Sequence, residues 1–253
     1  MITIDLIGRL GNQLFQYAVC RTVAEKNGYQ FYIPKNKNDH GQNISDFFNL
    51  EMGIDDGLPM RYLFAEDHTI QKYNPNILNI GDHTKIWGFY QTDKYFIQNE
   101  KNVKEWFSIV NDEKTREILE KYPVDEYCYI HFRGGDYKDW EGGKFFLPKK
   151  YYDDAINYIK SLNDNLKFLI ITDDVELAKE FFDFDIVSND MMVDFKLIYN
   201  SKYCIIPNST FSWWAAWLNN KEVTIAPNFW LNYNNPESGF YPYDIKSDKF
   251  KYL

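Results

Sequence analysis

The chain has 253 residues, 45% hydrophobic and 26% charged, enough to bury one or two sizeable cores. Its net charge of −9 comes without any basic stripe, which excludes a surface that wraps nucleic acid but leaves room for a few local donors to one small diphosphate. No run approaches the ~20 apolar residues of a membrane-spanning helix. Cys20, Cys128 and Cys204 form no CxxC, which points to buried reduced thiols and not to a metal knuckle or redox pair.

In chain order, residues 1–7 read as a buried strand, not a signal peptide, so the expected location is the cytoplasm. Gly8-Arg9-Leu10-Gly11-Asn12 forms a turn. Leu14, Phe15, Ala18, Val19, Thr22 and Val23 then fall at helical spacing, with Asn12 as a candidate N-cap and Gly28 as a stop. A strand over 30–33 completes a β-turn-α-β opening. Residues 35–82, rich in Asn, Asp and Gly, read as loops with short elements. A short strand is expected over 86–90, a helix within 93–107 and another over 113–121. The second half alternates more cleanly. Strands are predicted at 127–132, 167–172, 186–187, 203–206 and 223–226. Helices are predicted at 149–162, 175–182 (capped by Asp174), 193–200 and 211–218. Such alternation implies α/β architecture with parallel sheets covered on both faces. We divide the chain into domains 1–118 and 119–253, and expect the aromatic, Asn-rich tail from about 229 to pack back on the first.

Ligands of open parallel sheets bind beyond the carboxyl ends of the strands, and three polar clusters fall there. The first is His131-Phe132-Arg133-Gly134-Gly135-Asp136-Tyr137, the second Thr172-Asp173-Asp174, and the third Pro207-Asn208-Ser209-Thr210-Phe211-Ser212. Ser209, Thr210 and Ser212 open a helix whose unpaired N–H groups suit a phosphate, or they simply cap it. Arg133, in a Gly-rich turn, can clamp a diphosphate bidentately or form a surface ion pair. Asp173 and Asp174 can accept from guanine or ribose, with helix capping the alternative for Asp174. His131 can bond a base or phosphate, or be a satisfied structural histidine. Asp136 can orient Arg133 or tighten its turn. The front turn matches neither GxGxxG nor GxxxxGK[ST], so a P-loop is disfavoured. Asp183-Phe184-Asp185 matches a bare DxD but falls at a helix-to-strand turn, which weakens a metal-dependent reading.

The motifs resemble those of the bacterial α-1,2-fucosyltransferases, glycosyltransferase family 11. The stretch from Gly8 to Ala18 is similar to the family's opening signature. His131 to Tyr137 resembles its His-x-Arg-Arg-x-Asp motif. Thr172-Asp173-Asp174, Asn208 to Trp214 and Gly88-Phe89-Tyr90-Gln91 before Lys94-Tyr95-Phe96 are similar to further segments. The resemblance implies a GT-B-like fold of two Rossmann-like domains whose parallel sheets face a central cleft. It implies a GDP-β-L-fucose donor, inversion at the anomeric carbon, a glycan acceptor and no required metal or other cofactor. Arg133, Asn12 and Asp136 become the catalytic candidates. Arg9, Gly11, His131, Asp173, Asp174, Asn208, Ser209, Thr210 and Ser212 become the donor-binding candidates. The linkage expected is α-1,2 to galactose, and a lipid-linked acceptor would bring the chain to a membrane surface without spanning it. The family's second arginine is Gly134 here, which keeps open another nucleotide-linked deoxysugar as donor; a non-catalytic GDP-sugar or glycan binder is a separate alternative.

Overall fold

Two all-parallel sheets organise the chain in the computed structural model, which describes residues 1–253. They belong to two units: Met1–Ser108 with Tyr241–Ser247, and Ile109–Phe240 with Asp248–Leu253.

In the first unit the sheet order is β2-β1-β4-β3, from β1 (Ile2–Ile4), β2 (Phe31–Tyr32), β3 (Tyr62–Ala65) and β4 (Thr84–Trp87). β1 is central and buried, as its Ile-Thr-Ile sequence requires. Helix α1 (Leu10–Asn27) is buried on nearly every side along its first four turns, which explains its lack of a polar stripe. Gly28 ends it in the left-handed conformation with φ 69°, its N–H returning to Ala24 and Glu25 as in a Schellman close. The capping residue at the start is Arg9, not Asn12. The helix begins at Leu10, so Asn12 lies inside its first turn. The helix expected within 93–107 is α2 (Glu100–Trp106), preceded by 3₁₀ turns at Asp93–Tyr95 and Ile97–Asn99. Tyr241–Ser247 is tied into this unit: Asp244 accepts from the Tyr73 N–H at 2.8 Å and pairs with Lys94, and Ser247 donates to Asp93 at 2.6 Å.

In the second unit the order is β10-β9-β8-β5-β6-β7. The strands are β5 (Tyr127–Phe132), β6 (Lys167–Thr172), β7 (Asp185–Val187), β8 (Tyr203–Ile205), β9 (Val223–Ala226) and β10 (Lys251–Tyr252). Helices α3 (Glu113–Lys121), α4 (Lys149–Leu162), α5 (Val175–Phe181), α6 (Met191–Asn200) and α7 (Thr210–Trp217) alternate with them. One side of the core gathers Cys128, Ile130 and Phe132 of β5 with Tyr151, Tyr152, Ala155 and Ile159 of α4. Elsewhere Trp213 stacks on Trp217 at 5.9 Å and meets Phe250 edge-on, so these aromatics fill the interior. All three cysteines are buried free thiols. No helix is long and apolar enough to cross a membrane.

Candidate active site

β8, β5 and β6 are neighbours and run parallel, so their carboxyl ends share one edge. Phe132 pairs with Thr172 and Ile130 with Ile205, which sets Arg133 beside Asp173 and near Asn208. From β5 the chain builds outward through β6 and β7, then returns to β5's other side for β8. This reversal makes β5/β8 the topological switch point, where open α/β sheets take their ligands. The first and third polar clusters meet there.

The Arg133 guanidinium is held by two carboxylates: Nη2 lies 2.7 Å from Asp136 and Nη1 3.1 Å from Asp173. The same Asp173 accepts the Gly134 N–H at 3.1 Å, clamping the turn that carries the arginine. The Tyr137 ring lies 5.4 Å beneath the guanidinium. Nε is buried with no partner in the protein. The arginine is therefore fixed in place with one N–H uncommitted. Asp174 caps α5 through the Leu177 N–H at 3.1 Å, and its other oxygen lies 3.4 Å from Lys138. Gly134 packs directly on that cap, and a Cβ there would sit 2.7 Å from the Asp174 Cβ and 3.1 Å from Leu177. This backbone excludes the second arginine of the motif.

His131 is 5% exposed, and its Nδ1 has no partner. Burial first, and the Arg133 charge second, push its pKa down to about 3, so the ring is neutral over the ordinary range and offers one donor and one acceptor. Asn208 donates to the Phe145 carbonyl at 2.9 Å, while its Oδ1 is buried and unpartnered. Ser209 sits at the N-cap of α7 but makes no capping bond to the first turn, and the Ser212 hydroxyl turns back to the Ser209 carbonyl at 3.2 Å. Thr210 is the first helical residue. Buried polar atoms are normally paired. Here three unpaired ones (His131 Nδ1, Arg133 Nε and Asn208 Oδ1) belong to residues at the carboxyl ends of two adjacent strands, beside a helix start with positive dipole character.

Arg9, Gly11 and Asn12 belong to the first unit. Arg9 is exposed and Gly11 buried. Asn12 accepts from Gln91 Nε2 at 2.7 Å, which orients its amide. Gly8, at φ 72°, lies so close that a Cβ would come within 2.5 Å of the Asn12 amide nitrogen. Behind Gln91 the turn is organised by Glu66. This carboxylate is 7% exposed and receives the Phe89 and Tyr90 N–H groups at 2.8 and 3.0 Å. Gly88 is required at that turn, since a Cβ would fall 2.4 Å from the Glu66 Cβ. Sequence reasoning missed Glu66 and Lys138. Their partners lie 23–24 and 36 residues away, and no local pattern marks them. Asp183 and Asp185 lie at the amino end of β7, the edge of the sheet opposite the three clusters.

The family model for Glycosyl transferase family 11 matches residues 1–251. The chain belongs to glycosyl transferase family 11. As a member of this family it is a glycosyltransferase. One relative is an alpha-1,2-colitosyltransferase from Escherichia coli, 30% identical over 91% of this chain and 92% of its own length. Another is galactoside alpha-(1,2)-fucosyltransferase 2 from Hylobates lar, 21% identical over 96% of this chain and 78% of its own. Among solved structures, POFUT1 in complex with GDP matches at TM-score 0.55 and 11% identity over 87% of this chain and 94% of that one. A mutant of Arabidopsis thaliana FUT1 in complex with GDP matches at TM-score 0.51 and 11% identity over 89% and 69%. At such identities the likeness speaks for the fold: the α/β architecture that the alternating strands and helices predict, in the GT-B-like form that the family resemblance implies.

Proposed function

We propose that the chain transfers L-fucose from GDP-fucose to a galactose hydroxyl of a glycan, in α-1,2 linkage, with inversion and without a metal. One observation carries the donor assignment: three buried, unpaired polar atoms at the β5/β8 switch point beside the start of α7. A nucleoside diphosphate would satisfy all three. Arg133 and the first N–H groups of α7, with Ser209, Thr210 and Ser212, take the diphosphate. His131 and Asp174 lie near guanine, Asp174 through the oxygen that otherwise meets Lys138. Asp136 and Asp173 serve by holding the guanidinium. Arg9, Gly11 and Asn12 contribute to substrate binding from the first unit.

In the reaction the acceptor hydroxyl oxygen attacks the anomeric carbon on the face opposite GDP, and its proton passes to solvent or to a phosphate oxygen of the departing GDP. The C–O bond to the β-phosphate breaks, and the electron pair leaves with that oxygen. Charge growing there is what a fixed guanidinium and a helix start stabilise without reorganising. Neutral His131 adds a hydrogen bond but no charge.

The similarity to an alpha-1,2-colitosyltransferase favours a second reading in which the donor is the 3-deoxy counterpart of fucose. Both readings share one experiment: a mass-spectrometric assay of GDP-fucose and GDP-colitose against a panel of galactosides, with donor hydrolysis monitored. Transfer from GDP-fucose supports the first, and transfer from GDP-colitose alone supports the second. Neither transfer nor hydrolysis would overturn both. Full activity in chelator is expected, and loss that added Mn²⁺ restores would overturn the metal-independent mechanism.

A further inference from the structure

We infer that the outer edge of β3 joins two copies of this chain, the strand pairing antiparallel with its own counterpart about a two-fold axis at Phe64. β3 ends the first unit's sheet, so one side of its backbone has no neighbouring strand. The Tyr62 and Glu66 N–H groups turn inward to the His83 and Trp87 carbonyls at 3.3 and 2.8 Å. Backbone direction alternates along a strand, so the N–H and C=O groups of Leu63 and Ala65 face outward.

Open sheet edges invite pairing, and proteins normally blunt them with charge, shortness or a covering segment. The other three edges here are blunted. β2 has two residues and meets Gly53 across an antiparallel bridge at Tyr32. β7 carries Asp185 and β10 carries Lys251, in strands of three and two residues. β3 is the longest of the four, and its Tyr-Leu-Phe-Ala sequence holds no charge and no proline. Tyr62 and Leu63 are 61% and 68% exposed.

Apolar surface continues beyond the strand. Ala65 lies in register with Trp87, the His68 ring stands edge-on to that indole at 5.9 Å, and the Ile70 carbonyl accepts the Tyr243 N–H at 3.2 Å. Tyr62, Leu63, Ile70, Trp87 and Tyr243 together expose on the order of 600 Å², the upper limit for the apolar patch of an ordinary monomer. Arg61, Ala65 and Asp67, all exposed, extend the strip to about 800 Å², one partner's share of a standard interface.

Charge selects a second copy as the occupant. Arg61 and Asp67 stand at equal distances along the chain on either side of Phe64 and at the same strand parity as Leu63 and Ala65. Neither forms an ion pair within its own chain, and the Asp67 carboxylate bonds only to Thr69. With the axis at Phe64, Leu63 faces Ala65 of the second copy and Ala65 faces its Leu63. Each of these pairs exchanges two backbone hydrogen bonds. Arg61 then stands opposite Asp67 of the second copy, and the symmetry repeats that match, so unlike charges meet across the strands. The small Ala65 leaves Leu63 of the second copy room to reach Trp87. Two four-stranded sheets become one, with a closed symmetry that ends at the dimer.

The test uses the full chain and two variants, Arg61→Asp and Asp67→Arg, each at an exposed side chain. Sedimentation velocity at about 50 µM works above the micromolar ceiling usual for an interface of this size. The parent should weigh about twice the 30.3 kDa chain mass. Each variant alone sets like charges opposite one another and should raise the dimer dissociation constant at least tenfold, with an unchanged circular dichroism spectrum. Mixing the two variants restores both unlike pairs and should restore the dimer to within threefold of the parent. A monomeric parent overturns the inference, and one that floats with vesicles of phosphatidylethanolamine and phosphatidylglycerol would assign the strip to a lipid surface instead. Dimers that persist in both variants, or a mixture that stays monomeric, place the contact elsewhere and overturn it equally.

Discussion

Replacing Arg133 with alanine should cost far more activity than stability. The side chain is only partly buried, and its ion pairs to Asp136 and Asp173 leave both carboxylates solvated when it is lost. Exposed pairs of this kind contribute about 0–1 kcal/mol to folding. Catalysis loses two things at once. A preorganised donor to a developing oxyanion is worth ~2.7–4 kcal/mol. In addition, Asp173, whose ion pair with Arg133 is lost, confronts the incoming diphosphate. Two unit charges ~6 Å apart at an effective dielectric of ~20 repel by roughly 2–3 kcal/mol. Taking the donor loss alone as the lower bound, kcat/KM should fall at least ~100-fold, since ~1.36 kcal/mol is one decade. Arg133→Lys, which keeps the charge but not the fork, should fall between the two. Steady-state assays with GDP-fucose, alongside a thermal melt, measure both sides. A kcat/KM within tenfold of the parent, at an unchanged melting temperature, would refute the reasoning.

Gly134→Ala should destabilise by about 1–3 kcal/mol, because its Cβ would meet Asp174 at 2.7 Å and disturb the α5 cap; a melting temperature within a degree of the parent would contradict this. Asp194 should show the opposite sign of stability effect. Burial pushes its pKa up to about 6 against an ordinary 3.8, so between those values the folded state binds more protons and stability falls as pH rises. Asp194→Asn, which can keep the bond from Asn189, should therefore stabilise by about 1–3 kcal/mol above pH 6 and by nothing below pH 4. Denaturant titration at pH 4 and 7.5 tests it, and a pH-independent difference would rule it out. Gln91→Ala and Asn12→Ala should each lower kcat/KM about tenfold, with the double variant no worse than either, because Gln91 acts through the 2.7 Å bond to Asn12; additive losses would show that the two act separately.

The parts legible in the sequence are those where burial imposes a pattern. β5, α4 and β6 match the predicted spans 127–132, 149–162 and 167–172, because both faces of the strands and one face of the helix are packed. β3 went unseen within the 35–82 loop region, since Tyr62, Leu63 and Ala65 are exposed on an edge strand and leave no alternation. The helix expected within 93–107 occupies its second half, because Thr92 caps a separate 3₁₀ turn at Asp93–Tyr95 and a second follows at Ile97–Asn99. Of the candidate site, the strand-end clusters were readable as positions but not as contacts. Asp173 pairing with Arg133 and Glu66 clamping the turn of Gly88 both depend on distant partners. The obstacle to an arginine at 134 is likewise a tertiary contact, with the helix cap of Asp174.

A crystal structure with GDP bound tests the central claim most directly. The diphosphate should lie within hydrogen-bond distance of Arg133 and the first turn of α7, with His131 Nδ1, Arg133 Nε and Asn208 Oδ1 no longer unpartnered. GDP seated elsewhere, with those three atoms still bonded to nothing, would contradict it.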